Sequence, residues 1–543
     1  MAKARIGIGD AGAAGRTPGR SADISGNCSE THSSAAVSDA SRGRAGRRPR
    51  PEPRLDKTRN GWLACEMGSQ SSVGSQVLSG PPQLKEEIGM SQHEVDLDGL
   101  APIPESARPM GPKSFVLVMW STAIIIQVMA IGTFLLQDGL NLNQVLLVGA
   151  LSAVLVALMA ALNSFPGLKH GVPFVVQLRS SFGYHGARVA YFFRIVPAIA
   201  WYGIGTWIGA MSINAIMTTI FSLPDLNFVY FGLLTVVQIL LTLKGITSIQ
   251  WFDAIVAIII FVMLAYFLVV IFVNGEMDFT PYQGTPGSWG LLFWGGVSAA
   301  TANWATVMLN HSDLMRHVKP ATGKTTFLSN FIGISPPWMV MVLFGMLIFV
   351  GTGDDDPIAG LVSLAPNPVF GVILLVFIVL AQISSNLTTS VLPAGLAFQD
   401  LFKVKWSTGV IIAGALSGIT APWVLFTSDW FFTFQNIYSV FLGPMLGVLL
   451  ADYWFVQRRR TDVTALYDTA AGPYRYFHGF GPSAWISLVV GGAVALWQLE
   501  IAWLIGMPVG LIVYVLLKRA GVDRRLSSRQ SAQAATPAAD ITR

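Results

Sequence analysis

The sequence predicts an all-α membrane protein of about twelve transmembrane helices, an expectation carried by composition, the spacing of apolar stretches and the distribution of charge. Hydrophobic residues fill 52% of the 543 positions and charged residues only 12%, with a mean hydropathy of +0.56. A soluble domain carries about 25% charged residues. The solvent for most of this chain is therefore the bilayer.

Apolar stretches near the ~20 residues that cross a hydrocarbon core fall at about 115–136, 144–163, 189–214, 226–243, 252–273, 288–310, 326–350, 368–392, 408–426, 431–455, 482–498 and 501–517. Lys and Arg collect in cytoplasmic loops, which tests this count independently. Between the first and last spans they sit at even-numbered connections or the adjoining helix ends: Lys169, Arg179, Arg188 and Arg194, then Lys244, Arg316, Lys319, Lys324, Lys403, Lys405, Arg458, Arg459, Arg460 and Arg475. The odd connections carry acids instead, at Asp138, Asp225, Glu276, Asp278, Asp354, Asp355, Asp356, Asp429 and Glu500. Both tails then fall on the cytoplasmic side, as expected of a protein of a bacterial inner membrane. The pI of 9.1 follows from topology and not from binding of nucleic acid.

The domain organisation reads as a tail over 1–112, a transmembrane domain over 113–518 and a second cytoplasmic tail over 519–543. The first tail, with runs such as GRAGRRPRPEPR, cannot bury enough apolar surface to offset ordering entropy and is expected to be disordered. Its acids (Asp10, Asp23, Glu30, Asp39) and its lack of an apolar core segment argue against transit and signal peptides; starts at Met67 or Met90 stay open. Both cysteines, Cys28 and Cys65, lie in this tail. The membrane domain thus has no thiol for a disulfide, a metal or a nucleophile.

Polar groups inside the spans are costly in lipid and mark sites or helix contacts. The eighth span holds the densest set, AQISSNLTTS over Ala381–Ser390. Helical spacing places Ala381, Ser384, Ser385 and Thr388 on one face and Gln382, Asn386 and Ser390 on a neighbouring one. A single hydroxyl here would more simply bond its own backbone or glue two helices; two stripes together read as a lining. The third span carries WYGIGTWIGA, with Gly203, Gly205 and Gly209, and the sixth carries WGGVSAATANWATVMLN. Small residues allow close packing. They also permit discontinuous helices, the device by which many secondary transporters build ion and substrate sites.

Two long segments, LKHGVPFVVQLRSSFGYHGARVAYFFRIVPAIAWYGIGTWIGA and GPMLGVLLADYWFVQRRRTDVTALYDTAAGPYRYFHG, resemble signatures of the first nucleobase:cation symporter family, the hydantoin, allantoin, uracil and cytosine permeases. The resemblance spans roughly Lys113 to Lys518. It implies two inverted five-helix repeats plus two C-terminal helices, as in leucine-transporter-like carriers. It also implies import of a planar polar heterocycle of purine, pyrimidine, hydantoin or allantoin type by cation symport, with no catalysis and no cofactor.

Carried over residue by residue, the family's aromatic clamp for a flat ring matches Trp201 and Trp304, and stacking on indoles suits such a ring. Its cation site resembles Ala381 as carbonyl donor with Ser384 and Ser385 as hydroxyl donors, completed by carbonyls near Thr122 and Ile125. Uncharged oxygens suit a monovalent cation better than a divalent one. Sodium is expected over a proton, because the acids of the chain lie in loops or at helix ends. Two positions depart from the pattern of the hydantoin-type members: Gly205 stands where a Gln is expected and Ser390 where an Asn is expected. Gln127 and Asn303 are the candidate replacements for these edge-reading amides.

Other classes read less well. Asp354, Asp355 and Asp356, or His311, Asp313 and His317, could suggest a metalloenzyme, but solvated loop charges account for them better. No repeated polar ring marks a channel. A receptor that binds the heterocycle without moving it shares the same features, and the oligomeric state is not legible.

Overall fold

The computed structural model describes residues 99–244, 277–354 and 356–535, with scattered positions between 255 and 273, and these residues form helices. The first span is broken into α1 (Pro112–Ala123) and α2 (Ile126–Gln137), bent by 48° across Ile124 and Ile125. Then come α3 (Leu142–His170), the short α4 (Phe174–Gln177) and α5 (Arg179–Phe182), α6 (Tyr184–Phe221) and α7 (Asn227–Leu243). The expected fifth span, 252–273, lies largely outside the described residues. The sixth is interrupted into α8 (Leu291–Ala302), α9 (Ala305–Leu309) and α10 (His311–Met315). There follow α11 (Gly323–Thr352), the short α12 (Pro357–Ser363) and α13 (Pro368–Asn386), which passes through a π-turn, Leu387–Val391, into α14 (Leu392–Phe402). The series ends with α15 (Trp406–Ser417), α16 (Ser428–Ala451), α17 (Pro482–Trp497), α18 (Ala502–Arg519) and α19 (Val522–Ala535).

By length and composition six described helices can cross a membrane, seven with the bent pair as one span, and four shorter apolar helices accompany them. Each expected span outside 252–273 thus has a helix. The sequence reading did not anticipate α4, α5, α12 or α19, which form within its connections and C-terminal tail.

Local chemistry explains where the long helices begin and end. Asn141 and Gln144 close a reciprocal capping box at the start of α3, satisfying two otherwise orphaned N–H groups. Thr322 caps α11 and Asn367 caps α13. Gly171 and Gly353 end α3 and α11 with φ of +70° and +67°, a geometry that costs glycine nothing.

The segment before α1 differs from expectation. Residues 99–111, assigned by composition to a disordered tail, are ordered along the Lys/Arg-rich ends of the helices. The N–H of Ile103 donates to Gly171 O (3.0 Å), that of Met110 to His317 O (3.0 Å), and that of Lys319 to Met110 O (2.7 Å). The buried Arg108 donates to Leu168 O, Tyr467 to Leu100 O (2.6 Å) and Arg316 to Gly99 O (2.8 Å). Backbone pairing of this kind needs no particular side chain, so composition conceals it.

Charge depth is the second difference. Arg179 and Asp400 form a buried ion pair at 2.9 Å, which Tyr191 joins as a donor to Asp400. Asp452 accepts from Ser180 (2.7 Å) and Tyr514 (2.8 Å). Arg194, counted above with the helix ends, lies inside α6 and is only 1% exposed. His311, Asp313 and His317 are not solvated loop charges: all three are buried, with His311 Nε2 2.6 Å from Asn330 Oδ1 and Asp313 accepting from the Phe174 N–H at 2.7 Å. Among the described residues no three His, Cys, Asp or Glu side chains form a metal-binding group.

A close crossing joins α2 to α11. A methyl at Gly132 would collide with Val342 O and one at Gly345 with Met129 O; the Thr133 hydroxyl donates to Gly345 O at 3.0 Å. Gly345→Ala is expected to cost about 1–3 kcal/mol through overpacking, read as a lower thermal midpoint of the solubilised protein. Gly232→Ala, whose added methyl meets nothing within 4 Å, should not lower it.

Candidate functional site

The two helix breaks and the polar stretch of α13 converge. Ile124 (ψ 78°) and Ile125 (φ −137°, ψ 151°) carry the chain out of helical geometry between α1 and α2. Trp304 (φ −104°, ψ 19°) does so between α8 and α9. Breaks like these expose backbone polar groups, which must be satisfied by protein or line a cavity.

Trp201 lies on α6 with 8% exposure and Trp304 at the α8–α9 junction with 2%. A residue that sequence reasoning missed joins them: Tyr438 on α16 accepts from Trp201 Nε1 (3.3 Å) and donates to Ala302 O (2.8 Å), two residues before Trp304. The Trp201 ring also meets Phe431 and Phe434 of α16, with centroids at 6.1 and 5.7 Å. Trp304 stands edge-on to Trp338 at 5.5 Å, whose Nε1 donates to Ser152 (3.1 Å). Both expected clamp residues thus border one junction of α6, α8, α9 and α16.

Beside Trp201 runs a chain of carboxamides. Gln127 on α2 and Gln382 on α13 exchange two hydrogen bonds, at 3.0 and 3.2 Å. A methyl at Gly205 would stand 2.6 Å from Asn386 Oδ1 and 3.0 Å from Gln382 Oε1. Asn386 donates to Tyr202 O (3.2 Å), Thr206 Oγ1 (3.2 Å) and Gln238 Oε1 of α7 (2.9 Å). The space that a Gln at position 205 would need is therefore filled by amides from α13. Gln382 and Asn386 were visible as a polar stripe; Gln238 was legible only as a lone amide within the fourth span. Asn303 is buried at the α8–α9 junction, its Nδ2 without a hydrogen-bond partner among the described residues.

Of the residues expected to hold a cation, Ile125 and Ala381 line one cleft, while Thr122 and the carbonyls of Ser384 and Ser385 meet at Thr388. Thr122 Oγ1 lies 3.4 Å from Thr388 Oγ1 and donates to Val118 O (2.7 Å). Thr388 Oγ1 reaches the carbonyls of both Ser384 and Ser385 at 3.1 Å. Ile124, Ile125, Ala381 and Gln382 line one cleft with Met129, Met341 and Phe377. The Ile125 carbonyl already accepts from the N–H groups of Val128 (3.1 Å) and Met129 (3.3 Å), so a cation there would share it with the start of α2. Ser390 lies in the π-turn, its hydroxyl 3.4 Å from Thr389 Oγ1. Arg194 donates to Thr389 O (3.2 Å) and Thr306 O (3.5 Å), tying α6 to both irregular segments.

Comparison with known proteins fits this geometry. The sequence profile of the family described as permease for cytosine/purines, uracil, thiamine and allantoin matches residues 102–517. The allantoin permease of Bacillus subtilis is 25% identical over 80% of this chain and 96% of its own length. The hydantoin permease of Microbacterium maritypicum is 23% identical over 76% and 87%. Among solved structures, Mhp1, a nucleobase-cation-symport-1 family transporter in a closed conformation with bromovinylhydantoin bound, superposes with a TM-score of 0.72 at 20% identity, covering 79% of this chain and 98% of its own. A Na⁺-coupled sialic acid symporter follows at 0.53 and 16%, covering 83% and 98%. These likenesses establish the fold as that of the leucine-transporter-like carriers.

The amide pair makes a direct test of coupling between α2 and α13. Gln127→Leu or Gln382→Leu alone strands a buried amide, at a cost of about 1–3 kcal/mol. The double variant removes both and should be less destabilised than the two singles added together. Thermal midpoints of the four proteins in a double-mutant cycle check this.

Proposed function

This chain belongs to the permease family for cytosine/purines, uracil, thiamine and allantoin, and on that premise we propose that it imports a nucleobase or related planar polar heterocycle by cation symport. The observation that carries the reading is the meeting of two broken spans with Trp201, Trp304 and the polar stretch of α13. A flat ring between indole surfaces gains area and dispersion, while edge groups select it. The names of the relatives, allantoin permease and hydantoin permease, support a small ring with carbonyl and N–H edges as a candidate substrate.

The proposed co-transported ion is sodium, held by Ala381, Ser384, Ser385 and carbonyls near Thr122 and Ile125. Uncharged oxygens suit that ion, and the buried acids Asp400, Asp452 and Asp313 are already engaged, the first with Arg179 and Tyr191, the second with Ser180 and Tyr514, the third with the Phe174 N–H. Both termini are proposed to face the cytoplasm across a bacterial inner membrane, from the segregation of Lys and Arg. Membership of a permease family leaves little support for a receptor that binds without transport.

Trp201→Ala and Trp304→Ala should each weaken binding of the transported ring by about 1–3 kcal/mol, the scale for losing one stacking surface, measured by equilibrium binding to purified protein. Unchanged affinity in both variants would remove the clamp.

Linkage requires that a co-bound cation and the substrate raise each other's affinity by the same factor. Binding in sodium should therefore be tighter than in choline, and Ser384→Ala with Ser385→Ala should erase the difference while leaving the choline affinity largely intact. Uptake driven by an imposed pH gradient and indifferent to sodium would count against the assignment.

A further inference from the structure

We propose that Gln435, on α16, reads the donor–acceptor edge of the substrate ring and thereby selects rings carrying a lactam, a ring N–H beside a ring C=O. The proposal rests on the reading of the site given above and names the substrate class for it.

Gln435 is 0% exposed, yet among the described residues neither its Oε1 nor its Nε2 has a hydrogen-bond partner. Its backbone carbonyl accepts from the Ser439 hydroxyl at 2.6 Å, so the unmet capacity lies in the side chain alone. A carboxamide buried with both functions unmet costs free energy in the empty site. That cost is recovered when a ligand supplies the missing donor and acceptor together.

Helical spacing shows which way the side chain is carried. Phe431, Gln435 and Tyr438 stand at i, i+4 and i+7, on one face of α16. Phe431 packs on Trp201 and on Phe134 of α2, with centroids at 6.1 and 5.4 Å. Tyr438 bonds Trp201 and the Ala302 carbonyl. The neighbours of Gln435 on its own face thus touch α2, α6 and the end of α8, the walls around the proposed ring site.

The chemistry matches a lactam. A primary carboxamide offers one acceptor and one donor side by side, and a lactam edge presents the complement. Gln127 and Gln382 already make this reciprocal two-bond pairing with each other, at 3.0 and 3.2 Å. Gly205 and Ser390 provide no amide where the resemblance calls for two; Gln435 provides one from a different wall.

The test uses purified full-length protein with uracil and hydantoin as probes, each beside its N-methylated derivatives. In the wild type, methylating the lactam nitrogen that faces Gln435 should weaken binding about tenfold or more, since a site built to bond an N–H rejects its absence. Gln435→Leu should weaken the parent ring by a similar factor and bring the parent-to-methyl ratio close to one. Gln435→Met, which keeps the length of the side chain but offers neither amide donor nor amide acceptor, should likewise lower parent affinity and bring the ratio close to one. It also serves if the leucine variant does not fold.

Insensitivity of the wild type to methylation at every ring nitrogen overturns the proposal without any variant. A Gln435→Leu or Gln435→Met protein that keeps the wild-type ratio overturns it as well. The underlying reading fails separately, when neither ring binds the wild type or when Trp201→Ala binds them unchanged.

Discussion

A backbone N–H or carbonyl left unpaired in hydrocarbon costs several kcal/mol, and this fixes where the chain can depart from helix. The departures at Ile124–Ile125, at Trp304 and in the π-turn of Leu387–Val391 all lie in protein interior, and each is repaid by a named partner. The Ile125 carbonyl accepts from Val128 and Met129. Ala302 O takes the Tyr438 hydroxyl, while Thr306 O and Thr389 O share the Arg194 guanidinium. Because such repayment demands polar side chains at those depths, the irregular backbone and the polar side chains gather in one place. A polar site in the middle of an apolar protein is the consequence.

The sequence disclosed the spans because each must carry about twenty apolar residues, and it disclosed sidedness because Lys and Arg segregate. It did not disclose depth. A charge count registers which side a residue lies toward, so Arg179, Arg194 and Asp313 read as peripheral although all three are buried. The cause is that the connection after the second span folds into α4 and α5, and these bring Arg179 against Asp400 and the Phe174 N–H against Asp313. Residues 99–111 were hidden for a related reason, since they are held mainly through backbone groups that every residue possesses.

The candidate site was legible to the same partial degree. Trp201, Trp304 and the stripe of α13 stand out by type and spacing. Their connections do not, because Tyr438 and Gln238 come from helices far along the chain and single polar residues in apolar helices have no periodic signal. Gln382 and Asn386 were visible as a row on one helix, but their function in the fold depends on Gln127 and Gln238 opposite them, which only tertiary structure supplies.

Position 205 shows how the space beside a glycine at such a site is used. A glycine there offers no amide from α6, and the space beside it is occupied by Asn386 and Gln382 of α13. Those two amides are largely spent on the protein itself, Asn386 on the Tyr202 carbonyl, Thr206 and Gln238, and Gln382 on Gln127. They brace the wall behind the ring site more than they face it. On the proposal made above, recognition of a ring edge comes from a carboxamide that the scaffold has not already satisfied, and among the described residues of α16 Gln435 has both functions of its amide unmet. The specificity of the carrier is in this sense set by which amides the fold leaves unused, a property that a residue-by-residue match to relatives does not register.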